Sequence, residues 1–173
     1  MGMPAVSPTP HADADPPRAP DFELADQNGR PWRLSDHLGA GYLVVVFYRG
    51  HWCPYCRRYL AKLRDHLPRF RERDARLVAV SPEPPATARA LAADLALPFP
   101  LLSDAAGEAI DRYATRNGFR HAGPLLPHPS VFVLDPHGVV RFRSIDRNYK
   151  KRTTMRTLLR VLDELAAAAP SPV

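Results

Sequence analysis

Cysteine is almost missing from this chain. Two occur among 173 residues, Cys53 and Cys56. That excludes the disulfide-stapled framework that small secreted domains use. Long apolar runs are missing as well, and no uncharged stretch approaches the roughly 20 residues of a membrane-spanning helix. The N-terminus has no basic start followed by an apolar segment, so no secretory signal is expected and the cytoplasm is the expected compartment. A structural zinc site wants four ligands. There is no second Cys-x-x-Cys, and no two of His51, His121 and His128 stand at ligand spacing. No internal repeat is present. Nor does a nucleic-acid motif accompany the basic excess, 24 Lys and Arg against 18 Asp and Glu. Much of that excess lies on one helix with acids interspersed, which reads as a solvated face and not as a nucleic-acid surface.

What is present is concentrated at Trp52-Cys53-Pro54-Tyr55-Cys56. Before it runs Leu43-Val44-Val45-Val46-Phe47, an uncharged, mostly β-branched run that predicts a buried strand. After it, Cys56, Tyr59, Leu60, Leu63, Leu67 and Phe70 recur at three- and four-residue steps, which predicts an amphipathic helix. The cysteines are therefore expected where a strand end meets a helix N-terminus. Free amide N–H groups and the helix dipole favour a thiolate there. Arg49, His51, Arg57 and Arg58 would add positive potential if they face the sulfurs. Pro54 suits the first turn, and two cysteines three apart on a helix can close a disulfide.

The rest of the chain supplies a frame. Residues 1–18 are proline-rich and read as a flexible arm, 19–168 as a single domain, and 169–173 as a frayed tail. Pro20–Leu24 predicts a short strand, and Asn28-Gly29 a hairpin turn. Ser35 is the expected cap where Trp32, Leu34 and Leu38 return to the core. Pro68 is a candidate kink in the first helix. Leu77–Ser81 predicts a second buried strand, Thr87–Leu97 a helix, and Phe99–Asp104 an edge strand on account of Pro100. A short helix over Gly107–Thr115 precedes a loop at 117–128. Ser130–Leu134 and Val139–Arg143 form a hairpin, a polar basic loop spans Asp146–Arg152, and a closing helix starts at Thr154. This order implies an α/β domain, a central mixed β-sheet with helices on both faces, with the reactive group beyond the carboxyl end of a central strand.

With those residues placed, the chain resembles the redoxin group, the thioredoxin-like fold as used by peroxiredoxins of the AhpC/TSA type. Four stretches carry the resemblance, between about Ala19 and Arg152. They are Pro20-Asp21-Phe22 with Gly29 and Leu34; Val46–Gly50 with the Trp52–Cys56 motif; Phe99–Asp104; and Pro129–Asp135 with Gly138. Aligned on Phe47-Tyr48, the family's peroxidatic cysteine falls on Cys56. Arg49 replaces the family's proline, and Cys53 stands at its threonine. The family's usual arginine before the later strand is not evident, so Arg49 or Arg147 is the candidate donor to a peroxide. A second sub-pattern is similar to thioredoxins and glutaredoxins. Trp52 precedes Cys-Pro-Tyr-Cys, Cys53 would be an exposed attacking thiolate, and Pro129 is a candidate cis-proline, weighed evenly against an ordinary proline at the start of a strand. The acid that thioredoxins bury before the motif is absent from Leu43–Phe47.

The resemblance implies a thiol peroxidase whose Cys56 attacks hydrogen peroxide or an organic hydroperoxide, Cys53 then closing a disulfide. Arg49, Trp52 and Pro129 would support the site. A thioredoxin- or glutaredoxin-type donor would reduce it, with no cofactor besides the Cys53–Cys56 disulfide, and a homodimer is allowed. The rival implication is a thiol–disulfide oxidoreductase with Cys53 attacking. A redox sensor on the same fold is the non-enzymatic alternative. Tyr48 and Trp52 are candidates for the mouth of the site, and His51 for tuning the thiolate.

Overall fold

The computed structural model describes residues 17–120 and 125–170. Its centre is strand β3, Tyr42–Phe47, whose residues Val44 to Phe47 are all buried. Side chains alternate across a strand, so Val44 and Val46 enter one core and Leu43, Val45 and Phe47 the other. The first core is roofed by three helices, α1 (Pro54–Arg71), α2 (Pro85–Asp94) and α4 (Met155–Ala168). Helix α1 buries Cys56, Tyr59, Leu60, Leu63, Leu67 and Phe70, the face given by the spacing. The second core holds Phe22, Trp32, Phe132 and, from the short α3 (Glu108–Arg112), Ala109 and Ile110, with Tyr113 just beyond.

Beside β3 lie β4 (Ala75–Ser81), parallel to it, and β8 (Ser130–Leu134), antiparallel. Outward from β4 come β5 (Leu101–Ser103), then β1 (Glu23–Ala25) and β2 (Pro31–Arg33). Outward from β8 comes β9 (Val140–Ile145). The expected mixed sheet with helices on both faces is the observed one.

Four local expectations are corrected. The Phe99–Asp104 strand is interior, not an edge, because β1 covers it. Pro100 precedes its first residue, so no ladder donor is lost, and the Pro100 carbonyl accepts from Ala79 N–H. Ser35 caps nothing. It sits inside a 3-10 turn, Leu34–His37, and its own N–H donates to Asp21 Oδ1 at 3.0 Å. The 117–128 segment is not only loop, since β6 (Arg116–Arg120) and β7 (Leu125–Pro127) pair as an antiparallel ribbon. Pro17 and Arg18, placed in the arm, have defined partners at the β8–β9 turn. The Pro17 carbonyl accepts from Val140 N–H, and Arg18 Nη1 donates to the His137 carbonyl. The remainder of the arm, His121, and residues 171–173 lie outside the described residues. Pro68 falls in the last turn of α1, which runs on to Arg71.

Candidate active site

The chain leaves β3 at Phe47 and starts α1 at Pro54, so six residues make the turn that carries the chemistry. Tyr48 N–H still donates to the Val80 carbonyl at 3.0 Å. Cys53 N–H then closes onto the Gly50 carbonyl at 3.3 Å. Cys53 is the N-cap of α1. Its backbone is extended (φ −87°, ψ 111°), and its sulfur accepts from Cys56 N–H at 3.4 Å. A sulfur thus occupies the place that a serine or threonine oxygen takes at an ordinary helix start. Pro54 follows at the first helical position, where a missing N–H costs nothing.

Both cysteines are free and both are 1% exposed. Cys53 is therefore not the exposed thiol that the thioredoxin-like sub-pattern implied. Four N–H donors converge on the two sulfurs. Cys56 Sγ receives Arg49 N–H at 3.4 Å and Arg152 Nη2 at 3.1 Å, while Cys53 Sγ receives Cys56 N–H and, at 3.9 Å, Arg49 Nη1. The hydrogen bond from the Cys56 thiol, its N–H and the Arg152 and Arg49 charges hold the Cys53 thiol well below its ordinary range, against the cost of burial. Donating that proton, and burial, push Cys56 up. The two shifts run in opposite directions, and the two thiols titrate as one coupled pair.

Arg49 is placed by aromatic rings. Its guanidinium carbon lies 4.9 Å from the Trp52 ring centroid and 4.8 Å from that of Tyr149. Trp52 is half-buried at the mouth of the site, whereas Tyr48 is core, 1% exposed. The other expected cations are engaged elsewhere. Arg57 pairs with Asp94, and Arg58 stands over Tyr55. His51 turns to Glu83, which accepts the His51 backbone N–H on both oxygens at 3.0 Å and contacts its ring. His51 does not tune the sulfurs.

Arg147, the other candidate donor, is exposed and lies near His128. The guanidinium that reaches Cys56 Sγ is instead that of Arg152, which the sequence reading missed. Arg152 is carried by the 146–154 connection, and that connection is fixed by Tyr59 OH donating to the Thr153 carbonyl at 2.8 Å. Glu83 was also missed, although a carboxylate between prolines just past a buried strand was a visible signal. Pro129 is buried at the same end of the sheet, next to Ser130, which faces Phe47 across the ladder. Every peptide bond among the described residues is trans, so Pro129 is an ordinary proline at the start of a strand and not the cis-proline that was weighed. Among the described residues no cluster of three or more His, Cys, Asp or Glu side chains is arranged to hold a metal, and no helix is long and apolar enough to cross a membrane.

The profile of the AhpC/TSA family matches residues 17–143. The chain belongs to the AhpC/TSA family. Alkyl hydroperoxide reductase E of Mycobacterium tuberculosis is 35% identical over 129 residues, 72% of this chain and 80% of that protein. The thiol-disulfide oxidoreductase ResA of Geobacillus kaustophilus is 31% identical over 124 residues, 71% of this chain and 64% of that protein. The crystal structure of the peroxidoxin BcpB from Mycobacterium tuberculosis superposes with a TM-score of 0.76 at 29% identity, covering 90% of this chain and 97% of that one. This AhpC/TSA chain is a peroxiredoxin-like redoxin with a single thioredoxin-like domain, and it is an oxidoreductase.

Proposed function

We propose that the protein is a thiol peroxidase in which Cys56 attacks and Cys53 resolves. The observation that carries this reading is the pair of donors on Cys56 Sγ, the Arg49 amide and the Arg152 guanidinium. In this reading the same donors hold a peroxide oxygen as it gains charge. The Cys53 thiolate takes the Cys56 proton while Cys56 sulfur bonds the terminal oxygen of the hydroperoxide. The O–O bond breaks, Cys56 becomes a sulfenic acid, and the leaving alkoxide or hydroxide takes the proton back from Cys53. Cys53 then attacks the sulfenic sulfur. The S–S bond forms, and hydroxide leaves as water with one solvent proton. A thioredoxin- or glutaredoxin-type dithiol returns two electrons to the disulfide. Such a cycle needs a reducing compartment, which fits the cytoplasm.

Stopped-flow mixing of the reduced protein with hydrogen peroxide, with parallel thiol titration, tests the reading. Two thiols are lost in the native protein. Cys53→Ser loses one and leaves a sulfenic acid that dimedone traps, and Cys56→Ser does not react. Peroxide turnover by Cys56→Ser would overturn the assignment.

The second reading, a disulfide reductase with Cys53 attacking, is favoured by the lowered Cys53 thiol and the likeness to ResA. Reduction of insulin by the reduced protein, abolished in Cys53→Ser, would select it.

A further inference from the structure

A cavity of about 750 Å³ opens between α1, along Tyr55 to His66, and the segment leading into α4. Its wall carries Arg58, Lys62, Lys150, Lys151 and Arg152, and Asp146 is the only acid there among the described residues. The ring of Tyr55, the buried Tyr59 and the buried Met155 add apolar surface. Thr153 also lines it, 8% exposed, with a hydroxyl that has no hydrogen-bond partner among the described residues. Lys62 and Lys151, whose ammonium groups make no ion pair among the described residues, and the aromatic surface beside them match a ligand with an anionic head and an apolar stem. Arg152 is shared, because the same guanidinium that lines the recess reaches Cys56 Sγ at 3.1 Å. A ligand held here sits against the group that holds the reactive sulfur.

We propose that this cavity binds the carboxylate of an organic ligand with an apolar stem and delivers that ligand to the cysteine pair. The proposal deepens the peroxidase reading and rests on it for what the ligand does. The carboxylate belongs either to an organic hydroperoxide, the oxidising substrate, or to a small thiol that returns electrons. Lys62 and Lys151 are exposed and contact neither sulfur. They supply charge to the recess without entering the chemistry at Cys56.

The test begins with binding, which needs no turnover. Full-length reduced protein is titrated in a calorimeter with decanoate and, separately, with decanol. Decanoate binds saturably and decanol at least about tenfold more weakly, as loss of one charged contact in a partly dry site implies. The Lys62→Gln, Lys151→Gln double variant loses about tenfold in decanoate affinity while its rate with hydrogen peroxide is unchanged. Equal binding of decanoate and decanol, or unchanged decanoate binding by the double variant, would overturn the site. Two kinetic arms then separate the sources. Linoleic acid hydroperoxide is compared with its methyl ester as oxidant, and dihydrolipoate with its methyl ester as reductant. A lower KM for the acid over the ester in one arm, lost in the double variant, identifies the source. Discrimination in neither arm overturns delivery to the cysteines. Decanoate binding by a protein that turns over no peroxide supports the site and overturns the peroxidase reading alone.

Discussion

Arg152 and Cys56 are 96 residues apart in the chain, and the guanidinium Nη2 of one lies 3.1 Å from the sulfur of the other. In the proposed peroxidase, the segment just before the last helix supplies an arginine to the attacking thiol. Removing it is expected to slow the reaction with hydrogen peroxide roughly a hundredfold, the usual loss for one donor to developing charge. Arg152→Gln should show this in stopped-flow rates. Arg152→Lys restores the charge but not the planar fork, so it should recover only part of the rate. An unchanged rate in Arg152→Gln would remove Arg152 from the mechanism.

Tyr59 should act through that arginine. Its hydroxyl holds the Thr153 carbonyl, next to Arg152, against the first helix. Tyr59→Phe removes one buried hydrogen bond and is expected to cost about 1–2 kcal/mol in urea unfolding. Its effect on the peroxide rate should vanish when Arg152 is already Gln. A double-mutant cycle measures this, and additive effects would show that Tyr59 has its own route to the sulfurs.

How much of this was legible in the sequence depends on how local the cause is. The β3 strand follows from an unbroken β-branched apolar run and the α1 face from a period of 3.6, so Val44–Phe47 and Tyr59–Phe70 were readable directly. The cysteines at the strand–helix junction followed from those two elements. Arg152 was not readable, because its position depends on a contact between Tyr59 and Thr153, 94 residues apart, in a loop with no period. β5 was misjudged because Pro100 was weighed as an edge signal when it lies just before the ladder. The β6–β7 ribbon was hidden by its glycine, histidine and proline content, which carries no alternation.

Glu83 fixes the turn from the opposite side. It is 8% exposed and accepts the His51 N–H on both oxygens. A Cβ at Gly50 would fall 2.8 Å from Glu83 Oε1 and closer still to the Trp52 indole nitrogen, so the turn fits against the carboxylate only because residue 50 is glycine. Glu83→Ala leaves the His51 N–H without its partner and should destabilise the protein by about 1–3 kcal/mol. Gly50→Ala should displace Trp52 and shift its fluorescence. Both variants should slow oxidation by moving Arg49, and Glu83→Gln, which keeps one acceptor, should be the mildest of the three.

The two thiols should pull stability in opposite directions as pH changes. The Cys53 thiol is depressed by the Cys56 hydrogen bond and the flanking arginines. Between its folded value and the ordinary thiol value of about 8.5, unfolding therefore takes up a proton, and the stability of the reduced protein rises with pH. Cys56 is pushed up by donating its proton and by burial. Above about pH 8.5 unfolding releases that proton, so the Cys56 contribution present below this pH is lost as pH rises. The reduced protein should thus gain stability up to mildly alkaline pH and lose it beyond. Urea midpoints across this range, taken under reductant, would show the rise and the fall. Cys53→Ser should flatten the rise, and Cys56→Ala, which leaves no side chain to donate to Cys53, should flatten both. A rise that survives in Cys53→Ser would mean that the carboxylates, and not the cysteine pair, set the pH dependence.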